Sequence, residues 1–516
     1  MLVLTLTKGV HQMGNFKIKV KIEFVECETN TDKDPQEKDD GSFEMIIDEK
    51  DAISIDNSEK ALLATAYPSI RKALAKHLEE VSKKKTLENA ETLEIEEIED
   101  GYKVDGEVGR FYFNTYQTIR EAGRVYNTAI DLFPTLKGKE WYRTVGFKDI
   151  AFFYGNVESS YRKTTKLINR VRYQQIDGTP YRTLQDNTDK EGVRLVDHME
   201  KKTTNILKRH RFLEDATYAG DPAKFESSKP SCLSEKTIKN AAADLDVEFE
   251  VQEILDNPVL LEDPSKSVNI TIDDVCVKRQ TEKRTKETRS PDNKRKRKSV
   301  YNTVIRIDKE GNHYSMVGAG IKATLRYLIA FLLSNRLVEY RFQFFTDGHT
   351  ILNDTIRRCF SWYSNCGIIL DWFHLIKKCK ELLSSSMKGR VIRNEILRLI
   401  MPLLWYGLTN RAITVLEHIG SENVKNDEKR KKLILYLERN RGMIPCYALR
   451  KRLGLQNSSA IGEKMNDLLV SSRQKHNGMS WSKIGSLALA ALTAAKLNGE
   501  KNIWMKNRAL QFKLST

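Results

Sequence analysis

The chain has 516 residues, with 86 Lys and Arg against 70 Asp and Glu and a formal net charge of +16. A length of this kind holds about two to four domains with cores of their own, and 40% hydrophobic with 30% charged residues matches a soluble globular protein. No apolar run reaches the roughly 18–20 residues that a membrane helix requires, and the basic balance points to a polyanionic partner, nucleic acid before an anionic membrane.

The seven cysteines (Cys27, Cys232, Cys276, Cys359, Cys366, Cys379 and Cys446) form no Cys-x-x-Cys pair. A zinc ribbon and a disulfide framework are therefore not expected, and most of the thiols read as small buried hydrophobes. The first residues, MLVLTLTKGVHQMGNFKIKVKIEF, alternate as a strand does and lack the charged and cleavable regions of a signal peptide. A cytoplasmic protein is expected.

In chain order, residues 1–107 read as a strand and helix region. An acidic polar loop (Thr29–Gly41) precedes a helix over 60–100, striped by Leu62, Leu63, Ile70, Leu74 and Leu78 and closing on the acidic LENAETLEIEEIED. Residues 108–265 read as a mostly helical DNA-binding region. A strand opens at Gly109, and a helix is expected through Ala122–Phe133. Then come a short helix (Lys148–Tyr154), a turn at Gly155-Asn156-Val157 and a basic helix (Glu158–Arg172). Short helix, glycine turn and basic helix make a helix-turn-helix candidate. Leu167, Ile168 and Val171 would form its apolar side, and Arg162, Lys163 and Lys166 would contact DNA. A plain helical hairpin would show the same pattern. Thr179-Pro-Tyr-Arg-Thr-Leu reads as the start of a second unit.

A new domain opens at Val268-Asn-Ile-Thr-Ile-Asp-Asp-Val-Cys-Val, an alternating strand that delivers Asp273 and Asp274 at its end. A dense basic run follows, ending in Lys294, Arg295, Lys296, Arg297 and Lys298, either a solvated loop or a phosphate contact. Ser299–Ile307 and His313–Val317 read as strands, and Ile321–Leu333 as a long apolar helix. Next comes the stretch on which the domain turns, RFQFFTDGHTILNDTIRRCFSWYSNCGIILDWFHL. Its Phe-rich strand ends at Asp347-Gly348, a helix carries Ile351, Leu352, Ile356 and Phe360, and a second strand (Gly367-Ile-Ile-Leu) ends at Asp371. Carboxylates at the carboxyl edge of a sheet stand where open α/β folds place ligands.

The order β(Asp)-β-β-α-β(Asp)-α-β is that of a ribonuclease-H-like domain. The fold expected is thus α/β: a mixed-sheet catalytic domain over 266–375 and 456–500, interrupted by an all-α insertion over 376–455, with a tail at 501–516. The helix that closes such a domain carries a third acid, and Glu463 lies near the start of the candidate. Asp467 one turn on, or Glu395 in the insertion, would be the substitute. Leu468 and Leu469 are expected to face the sheet.

Several of these residues, in this order, resemble the bacterial insertion-sequence DDE transposases of the Kra type, relatives of the Mutator superfamily. The resemblance rests on Ile272-Asp273, Thr346-Asp347-Gly348, Leu370-Asp371-Trp-Phe-His374 and the closing motif. That motif reads Ser459-Ala-Ile-Gly-Glu463, Arg473, Lys475, Gly478-Met-Ser-Trp481, Gly485 and Asn498-Gly499. It covers about residues 268–500. In the family Asp-Gly is usual where this chain has Asp273-Asp274.

The resemblance implies a ribonuclease-H-like catalytic domain with Asp273, Asp347 and Glu463 as catalytic metal ligands. Asp273 would bridge two Mg²⁺ ions, and Mn²⁺ is a possible substitute. Phosphodiester cleavage and strand transfer are in-line displacements at phosphorus, which two such ions about 3.5–4 Å apart promote at both the attacking and leaving oxygens. Asp371 and His374 would shape the site, although Asp371 could equally cap the helix that follows it. His349 could approach the substrate. Arg473, Lys475 and Lys483 would neutralise phosphates, and Trp481 could stack on an unpaired base or pack in the core. The implied protein binds the double-stranded ends of its element and target DNA as a homo-oligomer, in the bacterial cytoplasm and with no membrane partner. A catalytically silent DNA-binding descendant and a structure-specific nuclease of the same fold are the alternatives.

Overall fold

The computed structural model describes residues 2–8, 18–24, 36–37, 43–45, 55–88, 95–119, 125–127, 141–154, 160–225, 232–245, 251–280, 299–475 and 478–514. The protein is a mixed α/β chain that divides into two compact units, 1–188 and 189–516. Among the described residues no helix is long and apolar enough to cross a membrane. The described cysteines are all free, and Cys359, Cys379 and Cys446 are buried.

The first unit holds two four-stranded sheets. In one, β1 (Leu2–Lys8), β2 (Ile18–Phe24), β3 (Gln36–Glu37) and β4 (Phe43–Met45) pair in the order β2-β1-β4-β3. In the other, β5 (Ile95–Gly106), β6 (Gly109–Ile119), β7 (Val125–Asn127) and β8 (Trp141–Arg143) pair in the order β7-β6-β5-β8. The helix α1 (Ile55–Glu88) packs Ala75 and Leu78 on Tyr102, Val104 and Phe113 of this second sheet.

Two expectations are corrected here. The helix expected over 60–100 stops at Glu88, and the acidic tail becomes β5. Its second half, Tyr102-Lys-Val104, alternates against Phe113 and Phe111 of β6, and this cross-strand packing overrides the helical preference of the Glu-rich half. Within the expected helix Ala122–Phe133, Val125–Asn127 is a strand paired with β6; the rest of that span lies largely outside the described residues.

The helix α2 (Val145–Tyr154) precedes α3 (Tyr161–Val171), and the expected turn between them lies outside the described residues. Ser160 caps α3 by accepting the Lys163 N–H. The buried face of α3 is Tyr161, Thr164, Thr165 and Ile168, whereas Leu167 and Val171 are exposed. The expected stripe therefore holds only at Ile168. Arg162, Lys163 and Lys166 are exposed on this helix, with the Arg162 guanidinium over the Tyr181 ring at 4.9 Å. Thr179-Pro180 starts one helix of 29 residues, α4 (Tyr181–Arg209), rather than a second short-helix unit.

The second unit is built on a five-stranded sheet: β9 (Ser267–Lys278), β10 (Ser299–Lys309), β11 (Asn312–Gly318), β12 (Arg341–Thr346) and β13 (Cys366–Leu370), in the order β11-β10-β9-β12-β13. The first three are antiparallel neighbours, and β12 and β13 join parallel to β9. Asp273 does not end its strand: β9 continues to Lys278, because Val275 and Val277 are buried and pair with Asn302 and Val300.

Helices cover the sheet. The short helices α5 (Glu235–Ala243) and α6 (Val251–Leu255) precede it, Tyr314 of β11 packs on Phe331 of α7 (Ile321–Ser334), and α8 (Thr350–Cys359) follows β12. A block of helices follows β13: α9 (Trp372–Ser386), α10 (Arg390–Trp405), α11 (Thr409–Glu417), α12 (Asp427–Asn440) and α13 (Tyr447–Arg452). Their core joins Phe345, Ile369 and Leu370 of the sheet to Leu383, Ile400, Leu416, Leu437 and Tyr447. Then α14 (Ala460–Asn466) and α15 (Lys483–Leu497) return to the sheet: Gly462 stands against Thr271 of β9, and Ser486 accepts a hydrogen bond from Asn302 of β10.

One buried ion pair ties the end of the helical block to the approach of the sheet. Arg450 of α13 and Glu262 are 0% and 1% exposed and meet through two 2.5 Å bonds, Nη1 to Oε2 and Nη2 to Oε1. Arg450 also donates to the Gln456 carbonyl at 2.7 Å. Removing one partner leaves a buried charge unpaired, which costs about 3–5 kcal/mol. Glu262→Ala is accordingly expected to lower the unfolding free energy of the second unit by that amount in denaturant titration. A loss below about 1 kcal/mol would contradict this.

Candidate active site

The three parallel neighbours align a row of acids. Phe345 is in register with Thr271, and Thr346 with Leu370. Continuing both ladders past the end of β12 places Asp347 beside Asp273 on one flank and beside Asp371 on the other. The Asp371 N–H donates to the Thr346 carbonyl at 2.8 Å, which carries the β12–β13 ladder one step further.

Alternation along β9 separates the two adjacent aspartates. Asp273 points to the side where α14 lies, and its Oδ2 accepts from Asn466 Nδ2 at 2.6 Å. Asp274 is exposed and accepts from the Thr303 hydroxyl. Asp273 is thus the residue that faces the row.

Asp371 is fully buried. Its Oδ1 caps α9 by accepting the His374 N–H at 2.8 Å and also meets His374 Nδ1 at 3.0 Å. Its Oδ2 accepts the Ser459 N–H. Capping and site-shaping are therefore one role here, since the cap is what orients the imidazole. The other ring nitrogen, Nε2, stands 3.5 Å from Glu463 Oε1. The charges of Asp273 and Asp347 also act on His374, so all three candidate ligands bear on one imidazole.

The titration behaviour follows. Burial would lower the His374 pKa, but the Asp371 hydrogen bond and the charges of Asp371, Asp273 and Asp347 outweigh it and raise the value. Burial would raise Asp371, and the hydrogen bonds from His374 and Ser459 instead hold it below the usual carboxylate range. Asp273 is pushed up to about 6, chiefly by burial, with Asp347 and Asp274 adding repulsion against the relief from the Asp274 N–H and His374.

Glu463 reaches this place because α14 lies almost on the sheet. A Cβ at Gly462 would stand 2.8 Å from Thr271 Oγ1 and 2.9 Å from its Cβ, so only glycine allows the approach. Five residues of π-helix, Asp467–Ser471, follow. That wider turn shifts the phase: Leu469 is buried while Leu468 is exposed, correcting the expectation that both face the sheet. Asp467 and Glu395 are exposed, and neither replaces Glu463 beside His374.

The row opens into a cleft of about 610 Å³. Its lining joins Asp347, Gly348 and His349 at the sheet edge to His374, Lys377, Lys378 and Glu381 of α9 and Lys432 and Arg439 of α12. Tyr436 lies among them, its ring 5.9 Å from Lys378 Nζ and 6.0 Å from the Arg439 guanidinium carbon, with its hydroxyl 3.4 Å from the Asp347 carbonyl. Gly348, at φ +79°, leaves room for that hydroxyl; a Cβ would come within 3.0 Å of it. Lys377, Lys378 and Lys432 were present in the sequence only within the basic runs of 377–380 and 429–432, and Arg439 only beyond them, and a sequence does not reveal which way these face. Asn466 had a clearer signal, lying three residues after Glu463 on the same helix face.

The other expected DNA contacts divide. Lys475 and Lys483 are exposed. Arg473 is buried with its guanidinium 5.3 Å from the Trp481 ring centre, and Trp481 is buried and donates from Nε1 to the Gln474 carbonyl at 3.1 Å. The pair packs the end of β9, where the Trp481 N–H donates to the Lys278 carbonyl at 2.9 Å, and is not available to stack on or neutralise DNA. Lys294–Lys298 lie outside the described residues.

Among the described residues no three His, Cys, Asp or Glu side chains form a ready metal-holding group. The donor chemistry nevertheless fits a hard divalent cation, since the acids around His374 offer carboxylate oxygens and Asp273 bears a charge that its burial disfavours. No protein-family model matches the chain, and no curated protein or solved structure is significantly similar to it.

The raised Asp273 value gives a signed prediction. A folded pKa near 6 against an ordinary 3.8 adds stability below about pH 4 that is lost as pH rises through 6. In metal-free buffer at pH 7.5, Asp273→Asn should therefore be more stable than the wild type, by on the order of 1–3 kcal/mol. The gap should shrink towards pH 4. A mutant less stable than the wild type at pH 7.5 would refute the burial account.

Proposed function

We propose that the chain is a DDE transposase that binds the terminal inverted repeats of an insertion sequence and catalyses DNA cleavage and strand transfer. The observation that carries this reading is the contact of Glu463 with His374 beside the register-aligned Asp273 and Asp347, at a cleft that four basic side chains also line. The strand order, three antiparallel strands with two more added parallel to the first, supports a ribonuclease-H-like catalytic domain. The resemblance in the four motifs supports the finer assignment.

In this reading Asp273, Asp347 and Glu463 would hold two Mg²⁺ ions, with Mn²⁺ as a substitute. Bound there, the metals would supply Lewis-acid activation of the attacking oxygen and charge stabilisation at the leaving one. The chain's own residues do the rest. Asp371 fixes the imidazole of His374 beside Glu463, and Asn466 holds Asp273 in place by a hydrogen bond. Lys377, Lys378, Lys432 and Arg439 neutralise phosphates flanking the reacting one, which makes binding salt-dependent. The Ser160-capped helix α3, with Arg162, Lys163 and Lys166 exposed, would read the element's ends. The protein would act as a homo-oligomer on double-stranded DNA in the bacterial cytoplasm.

The test is Asp347→Asn, which keeps the side-chain shape and removes the charge. Mg²⁺-dependent cleavage of terminal DNA should fall by at least about a thousandfold, while the affinity for that DNA stays within about threefold. Cleavage at the wild-type rate would remove Asp347 from the mechanism. A wild-type protein that binds terminal DNA and never cleaves it would favour the catalytically silent alternative.

A further inference from the structure

At the amino-terminal ends of β12 and β13, opposite the acidic row, lies a second open pocket of about 370 Å³. Arg341 begins β12, and six residues of strand, roughly 20 Å, separate it from Asp347. Arg341 and Gln343 line this pocket and are 5% and 1% exposed. The guanidinium is permanently charged. Its hydrogen bonds go to two neutral amides, Gln343 Oε1 at 3.4 Å and Asn365 Oδ1 at 3.3 Å, both at the long end of the range. No carboxylate pairs with it among the described residues, and no acidic side chain lines the pocket.

Three more features belong to the same place. Gln343 Nε2 is buried with no hydrogen-bond acceptor. Gly367 keeps the sheet surface clear for the guanidinium, since a Cβ there would fall 2.5 Å from Arg341 Nη2 and 2.8 Å from Gln343 Oε1. A second guanidinium, Arg357, stands at the rim, where it meets exposed Asp354 at 3.4 Å and the Met443 sulfur at 3.5 Å. The remaining walls are largely apolar, from Leu260, Ile356, Phe360, Ile368 and Met443.

A buried unpaired charge and a buried unmade N–H each carry a free-energy cost that one acceptor-rich anion would remove at both positions. The apolar walls favour an anion that carries a hydrocarbon body over a bare ion. We infer that this pocket is a binding site for a small organic oxyanion, a carboxylate or phosphate on an apolar body, seated on Arg341 and Gln343 with Arg357 at its mouth. The site is independent of the acidic row and of the reaction proposed there.

The test uses the full chain and three probes, phenyl phosphate, benzoate and inorganic phosphate, in calorimetric titration at fixed ionic strength. Phenyl phosphate or benzoate should saturate one site per chain, with inorganic phosphate weaker. Arg357→Ala should weaken that binding roughly tenfold, and Gly367→Ala and Arg341→Gln should abolish it. Asp347→Asn should bind the probe as the wild type does. Should Arg341→Gln fail to fold, Arg357→Ala and Gly367→Ala decide the matter. Failure of all three probes to saturate the wild type would overturn the inference, as would wild-type affinity in those two variants. Displacement of the probe by a short DNA oligonucleotide would overturn it in favour of a nucleic-acid phosphate.

Discussion

The carboxylate of Asp371 is the constraint on which the site depends. It is fully buried and still ionised below the ordinary range, because every oxygen is occupied: the His374 N–H and ring on one, the Ser459 N–H on the other. Those bonds tie the junction of β13 and α9 to the loop that enters α14, 88 residues further along the chain. Around it the Trp372 N–H donates to the Asn457 carbonyl at 3.2 Å, and the Tyr447 hydroxyl to the Leu370 carbonyl at 2.7 Å. The Arg450–Glu262 pair holds Gln456 in the same loop. The helical block is in this sense a clamp: it enters from Asp371 and returns the chain to Asp371 before Glu463 is presented.

The cleft brings carboxylates and cations together. Burial first, and repulsion from Asp347 and Asp274 second, raise the Asp273 value at the sheet edge, while α9 and α12 present lysines and an arginine with Glu381 among them. Among the described residues none of Lys377, Lys378, Lys432 or Arg439 forms an ion pair, so their charge is left for a ligand. An anionic polymer lying in the cleft would meet cations on α9 and α12 and, at the acidic edge, groups suited to cations. Such an arrangement suits phosphodiester chemistry better than hydrolysis of a neutral substrate.

Much of this was readable because the informative segments obey local rules. The strands Arg341–Thr346 and Cys366–Leu370 are short apolar runs that end in acids, and the helix Ile321–Ser334 is apolar almost throughout, so each is visible in one window of sequence. Glu463 could be found from its motif, and Gly462 beside it has a physical reason in the contact with Thr271. Other features depend on distant partners. The acidic run 95–101 becomes a strand only through β6, and the exposure of Leu468 depends on a π-turn that no pattern announced. Trp481 packs in the core, one of the two readings its sequence allowed, and Arg473, expected to neutralise phosphates, is buried with its guanidinium over that ring. The Arg450–Glu262 pair spans 188 residues of sequence and leaves no periodic trace.

The central claim is that Asp273, Asp347 and Glu463 share a divalent metal site built on Asp371 and His374. Fe²⁺ loaded in place of Mg²⁺, with ascorbate and peroxide, generates hydroxyl radicals that cut the backbone next to the bound ion. The account predicts cuts clustered near residues 273, 347 and 463, suppressed by excess Mg²⁺ and lost in Asp273→Asn. Cuts confined to other acidic stretches, or unchanged in that variant, would contradict it.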